Sequence, residues 1–250
     1  MSQHPTSIHH AAAPYQCERC RHRPLCQPDD GAAPIFGRRV RVARNAALYQ
    51  TGELNTNSVY AIRSGSFKLL RAGADPAEPS VIGFAMAPEF IGLNEIGRKQ
   101  QSCSAVALED SEVCKLAWQP LLHRERRQPQ LADGLHGLLS EQIRREQAVA
   151  LMLRNTQADQ RLAGFLLSLS ERHAANGYAA CQFRLQMARG EIANFLGMTA
   201  ECLSRLLVQM KERRVFTMVQ REVAILDLPA LRALAAGPLA GPAVAMQEAC

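Results

Sequence analysis

Residues 189–207 read RGEIANFLGMTAECLSRLL, and the small and apolar positions in this stretch decide what kind of fold closes the chain. Ala193 leaves room for two helices to cross closely, and Gly197, four residues later, permits a tight turn. Ile192, Leu196, Met198, Leu203 and Leu206 fill the wedge between them, and Thr199 is a natural N-cap for the second helix. The pattern predicts a helix-turn-helix. Glu201, Ser204 and Arg205 then stand at i, i+3 and i+4, near the exposed N-terminal half of the second helix, the half that enters a major groove. Arg205 can make paired hydrogen bonds to guanine O6 and N7, Glu201 can accept from a cytosine amine, and Ser204 can reach a base or a phosphate. Outside such a motif the same three residues would be a solvated face with a local Glu201–Arg205 ion pair.

Downstream, Lys211, Arg213 and Arg214 are candidates for phosphate contact, and the runs VFTMV and EVAIL, separated by Gln220 and Arg221, suggest a hairpin wing. Upstream, Ala158–Arg172 has Leu162, Phe165, Leu166 and Leu169 on one helical face, Gly177 ends the region, and residues 182–185 suit a short strand. Further back, Leu131–Arg154 is one long amphipathic helix. Leu135, Leu139, Gln142, Glu146, Val149 and Leu153 recur at alternating steps of four and three, the seam of a helix facing a partner. Glu146 against its own copy would set two carboxylates close together and leave dimerisation poised. A monomeric core helix with Gln142 and Glu146 at its wet edge satisfies the same periodicity.

From about Arg38 to Leu116 the chain changes to short β-rich runs, VRV, SVYAI, SFKLL, VIGFAM, CSAVAL and EVCKL, punctuated by Gly52, Gly65, Gly73, Gly92 and Gly97. This predicts an antiparallel jelly-roll. Ahead of it, CERCRHRPLC places Cys17, Cys20 and Cys26 on a loop broken by Pro24 and closed by Pro28. Such loops turn several thiolates toward one point, as soft metals and iron–sulfur clusters require. Three thiolates do not complete a site, and Cys103 and Cys114 are the nearest further candidates. Strand alternation puts Val113 on one face and Cys114 on the other, so Cys114 could look toward the N-terminal loop; it could equally be a small buried hydrophobe.

With 47% hydrophobic and 21% charged residues the chain reads as a soluble globular protein. The first fourteen residues lack a signal-peptide core and no apolar run has the length of a membrane span, which predicts a cytoplasmic protein with no membrane partner. A formal charge of +6 suits a polyanionic partner such as double-stranded DNA. In that reducing compartment its eight cysteines are not expected to form structural disulfides. The expected organisation is an α+β chain: an arm with the cysteine loop (1–30), a β-roll sensor (31–125), a dimerisation helix (126–156), a winged helix-turn-helix (157–236) and a flexible tail (237–250).

Together these features resemble the FNR-type oxygen regulators of the cyclic-AMP receptor protein superfamily. The resemblance runs from about Tyr15 to Leu234. It is carried by CERCRHRPLC with the distant Cys114, by VYAIRSGSFK, and by RGEIANFLGMTAECLSRLL. It implies that Cys17, Cys20, Cys26 and Cys114, rather than Cys103, Cys181, Cys202 or Cys250, hold a [4Fe-4S] cluster, and that an E-x-x-S-R reading motif falls on Glu201, Ser204 and Arg205, with a palindromic target of the TTGAT-N4-ATCAA kind. It also implies a homodimer through Leu139, Ile143, Glu146 and Leu153, and contacts to RNA polymerase. Two departures stand out. Arg213 and Arg214 occupy a stretch where the family often has a helix-ending glycine. The region FIGLNEIGRKQQSCSA has no arginine directly before Ser102 or Ser104, which disfavours a cyclic nucleotide.

In the ligand loop Arg19, Arg21, His22 and Arg23 could neutralise such a cluster, and Leu25 could shield it; the plainer reading is a solvated basic stretch with a loop anchor. Structural zinc or a thiol-redox site on the same fold is the nearer alternative. A thiol or metal-dependent enzyme is the more distant one: His123, His136 and His173 show no ligand spacing and read as surface residues, and no nucleophile–base set is present.

Overall fold

The structure is a computed structural model that describes residues 36–73, 79–126, 128–154 and 157–237. The arm with Cys17, Cys20 and Cys26, and the tail from residue 238, lie outside the described residues. The chain divides into two units, Met1–Ile143 and Arg144–Cys250, and the division falls inside the long helix.

In the first unit the β-branched runs form strands β1 (Phe36–Val42), β2 (Ala47–Tyr49), β3 (Ser58–Ser64), β4 (Ser66–Arg71), β5 (Ser80–Met86), β6 (Phe90–Ile91), β7 (Ser104–Ala107) and β8 (Ser111–Ala117). They pair antiparallel in two sheets of order β1-β8-β3-β6 and β2-β7-β4-β5. All six strands read from the sequence are present; β2 and β6, of three and two residues, are too short to show an alternation. The inner core gathers Val40, Val42, Ile62, Phe67, Ile91 and Val113, of which the last four are 1% exposed or less. Burying each such side chain contributes about 1.5–3 kcal/mol.

Two helices follow, α1 (Trp118–Glu125) and α2 (Pro129–Arg154). Trp118, Leu121, Leu131 and Leu135 close over Val59, with Phe90 and Leu93 beside them. Leu135, which the periodicity placed on the partner-facing seam, is therefore spent on the roll. The seam pattern cannot tell a partner helix from a sheet, because both bury the same stripe.

The second unit holds α3 (Ala158–Ala175), β9 (Gln182–Arg184), α4 (Arg189–Phe195), α5 (Ala200–Glu212), β10 (Phe216–Val219), β11 (Glu222–Ile225) and α6 (Leu228–Ala236), with sheet order β10-β11-β9. Leu162, Phe165, Leu166 and Leu169 of α3 are buried, as their spacing predicted. Sequence reading missed α6, although Asp227 caps it by accepting from Ala230 N at 2.8 Å and Pro229 sits in its first turn. His173 is half-buried and stacks on Phe183 at 5.1 Å, which corrects its reading as a surface residue.

Gly65 turns β3 into β4 at φ 85°, and a Cβ there would lie 2.8 Å from Ser111 Cα, a backbone atom of β8 that cannot yield. Gly65→Ala should therefore destabilise the first unit by about 2 kcal/mol or more. Thermal unfolding followed by circular dichroism should show a transition at least about 5 °C lower.

Candidate nucleic-acid interface and cysteine site

Helix α4 starts with Ala188 N donating to Glu191 Oε2 at 2.6 Å and stops at Gly197, φ 63°. Met198 N donates to Ala193 O at 3.0 Å and Gly197 N to Asn194 O at 3.2 Å, the paired bonds of a left-handed helix terminus. Thr199 then caps α5, its hydroxyl accepting from Cys202 N at 3.2 Å. Ile192, Ala193, Leu196 and Leu203 are buried in the wedge, whereas Met198 and Leu206 are only half-buried and Phe195 and Leu207 take part unforeseen. A further residue, Arg161 on α3, donates from Nε to Leu196 O at 2.8 Å, satisfying a carbonyl at the end of α4. No motif pointed to Arg161, because its partner lies 35 residues away.

On α5, Glu201 and Arg205 are exposed and Ser204 is half-buried. Glu201 is held below the usual carboxylate range, first by its own backbone N–H at the helix N-terminus, then by the Thr199 hydroxyl, and to a smaller degree by Arg205. It thus presents a charged acceptor beside a cation at the helix entrance.

The far end of α5 repeats the closure seen at Gly197 without a glycine. Val215 N donates to Met210 O at 3.1 Å and Arg214 N to Lys211 O at 3.0 Å, while Arg214 itself sits at φ 55°. Buried Val215 packs where this motif places its apolar anchor. The helix therefore ends as it would with glycine, and the hairpin β10–β11 follows normally; an exposed arginine occupies the left-handed position at a strain of about 1–2 kcal/mol.

In the roll, β8 separates Val113 from Cys114: Val113 belongs to the inner core, whereas Cys114, 7% exposed, packs with Ala61, Leu116 and Phe90 on the other face. Its cross-strand partners are Arg39 in β1 and Ala61 in β3. Phe36 at the start of β1 lies opposite Leu116, so the chain enters the roll two residues from Cys114 along β8. A buried thiol on that outer face has the chemistry of a soft-metal ligand. Cys103 does not share that face: it is fully buried in the inner core, within 3.4 Å of the Glu95 carboxylate, and burial with that charge raises its thiol pKa. Among the described residues no three His, Cys, Asp or Glu converge as a metal site, and three of the four expected ligands are outside that set. Cys202 is half-buried on α5, and Cys181 is disulfide-bonded, against the expectation of reduced thiols.

On α2, Leu139 is half-buried, while Ile143 (58%), Glu146 and Leu153 (38%) are exposed on this single chain. Glu95, 1% exposed, is buried in the roll, accepting from Ser102 N at 2.8 Å and Ser102 Oγ at 2.6 Å and pairing with Arg98 Nε at 3.7 Å. No helix among the described residues is long and apolar enough to cross a membrane.

Residues 160–234 match the Crp-like helix-turn-helix domain and residues 39–123 the cyclic nucleotide-binding domain. The chain is 35% identical over 232 residues to the transcriptional activator protein Anr of Pseudomonas protegens, covering 90% of this chain and 94% of the relative. It is 32% identical to the fumarate and nitrate reduction regulatory protein of Yersinia pestis, covering 89% and 91%. FixK2 from Bradyrhizobium japonicum shares the fold with a TM-score of 0.69 at 21% identity, over 79% of this chain and 96% of that one.

Arg214→Gly should relieve the left-handed strain and stabilise the second unit by about 1 kcal/mol. If the arginine is retained to reach a phosphate, the same variant should bind DNA more weakly at every sequence and lower the salt slope of binding by about one. Melting curves and fluorescence anisotropy across a salt series check the two effects separately.

Proposed function

The chain belongs to the FNR-type regulators of the cyclic-AMP receptor protein superfamily, and from that premise we propose that this DNA-binding transcription regulator senses oxygen through a [4Fe-4S] cluster held by Cys17, Cys20, Cys26 and Cys114. The observation that carries the reading is the placement of Cys114: buried, yet on the face of β8 turned away from the roll core, where the incoming chain can meet it. One relative, of Pasteurella multocida, is named an anaerobic regulatory protein, which agrees with an oxidisable cofactor. The relatives are regulators, and this chain is one, not an enzyme.

When bound, the group would supply oxygen-labile redox chemistry, with Cys17, Cys20, Cys26 and Cys114 as the residues that would hold it. The chain's own residues do the rest. Cys114 would hold the group on β8. Phe90 packs against both the Cys114 group and the group of Val59, Leu131 and Leu135, so a change at Cys114 bears on the first turns of α2. Farther along α2, Leu139, Ile143 and Leu153 provide apolar surface for a second copy, and Glu146 opposes the pairing by carboxylate repulsion. A few kcal/mol suffice to move such an equilibrium from monomer to dimer. In the dimer two copies of Glu201, Ser204 and Arg205 would read successive major grooves about 34 Å apart on a TTGAT-N4-ATCAA-like palindrome. A nucleotide effector is disfavoured because no arginine directly precedes Ser102 or Ser104 to meet a phosphate. RNA polymerase contacts and a cytoplasmic location complete the proposal.

Protein purified under nitrogen should be brown, with broad absorption near about 400 nm that bleaches in air. Cys114→Ser should abolish the band and Cys103→Ser keep it; the reverse would move the fourth ligand to Cys103. Colourless protein with stoichiometric zinc would instead favour a structural metal. Glu146→Ala should remain dimeric in air by sedimentation and hold its palindrome there, and a variant that stays monomeric would count against the interface role.

A further inference from the structure

The face of the first sheet that carries Cys114 is basic in an ordered way. Alternation along β1 sends Val40 and Val42 into the core and leaves Arg39 and Arg41 on the outer side, while β3 sends Ile62 inward and leaves Ala61 and Arg63 outside. The ladder is irregular between Ile62 and Ser64, and there Arg63 swings to Glu112 on β8. Glu112 thus anchors three guanidiniums: Arg63 at 3.2 Å, Arg41 at 3.6 Å and Arg39 at 3.7 Å. Arg41 is 63% exposed, but Arg39 at 13%, Glu112 at 18% and Arg63 at 21% are largely withdrawn from water, where screening is weak. Arg39 is directly cross-strand from Cys114, a pairing that sets Cβ atoms about 4.5–5.5 Å apart. Its guanidinium reaches along β8 to Glu112, two residues from the cysteine.

We infer that Arg39, anchored by Glu112 across from Cys114, is a positioning residue that stabilises an anionic thiolate-ligated group at that face. The inference rests on the cluster reading above and deepens it. A [4Fe-4S]2+ core with four thiolates carries two negative charges, and a poorly screened cation beside one of its sulfurs lowers the free energy of the assembled site. This role falls to the sheet, where the position is fixed by strand register. Arg41, on the same face and the same anchor but mostly in water, supplies the internal control.

The test uses the full chain loaded under nitrogen. Iron and acid-labile sulfide per chain are measured, and the absorption near about 400 nm is followed without oxygen in the presence of an iron chelator. Arg39→Gln should lose the band at least about fivefold faster than the wild type, while Arg41→Gln and Arg39→Lys should stay within about twofold. Arg39→Met removes the charge but keeps an unbranched stem against the sheet, and should behave as Arg39→Gln does; it carries the test if the glutamine variant does not fold. Melting of the metal-free proteins separates the roles. Equal retention in all variants, or loss that follows the melting temperature and is not rescued by lysine, overturns the inference about Arg39. Wild-type protein free of iron and sulfide would instead sink the cluster reading itself.

Discussion

The two-residue alternation of β8 is the constraint on which the first unit depends. Ser111 to Ala117 lies between β1 and β3, hydrogen-bonded on both sides, so its register is set twice. Val113 is thereby committed to the core, and Glu112, Cys114 and Leu116 to the opposite face. A slip of one residue would place a carboxylate and a thiol among Ile62 and Phe67 and expose Val113, an exchange costing several kcal/mol. The same rigidity makes the Cys114 thiol a fixed point on the outer face of the strand. It also fixes Arg39 and Ala61 as its neighbours: a charge on one side, a methyl group small enough to leave room on the other.

The DNA-binding unit is held by a different device. Helices α3, α4 and α5 all end in a left-handed residue with paired backbone bonds, at Gly177, Gly197 and Arg214 respectively. Each closure satisfies carbonyls that would otherwise be orphaned and turns the chain sharply, so the short helices pack at close range. Arg161 adds a side-chain donor to the carbonyl of Leu196 and so ties α3 to the turn between the two motif helices. The face of α5 with Glu201 and Arg205 is left solvent-exposed because Leu203, Leu207 and Met210 on its other side supply the burial.

Legibility followed period length. The helix-turn-helix, the buried face of α3 and the six longer strands were readable because each repeats its pattern often enough to exclude the other period. β2 and β6 contain less than two full alternations, and α1 follows β8 without any break that composition would reveal. The seam of α2 was readable as a stripe but not as an interface: Leu131 and Leu135 lie against the roll, while Ile143 and Leu153 are exposed, and nothing in the spacing separates the two. His173 failed for a related reason, since its stacking partner Phe183 lies ten residues away on another element.

By itself the sequence determined which residue types could carry chemistry: the cysteine loop with Cys103 and Cys114 as further candidates, the spacing of Glu201, Ser204 and Arg205, and the glycines at which the chain must turn. Those are local properties, set by residue type and by spacings shorter than a helix or strand. Only the tertiary structure decided that Glu112 gathers three arginines beside Cys114, that Cys103 is sealed against Glu95 in the core, and that Arg161 reaches the turn after α4. These pairings join residues on separate elements, and they exist because sheet register and helix packing bring distant side chains within a few ångströms, a distance no one-dimensional spacing encodes.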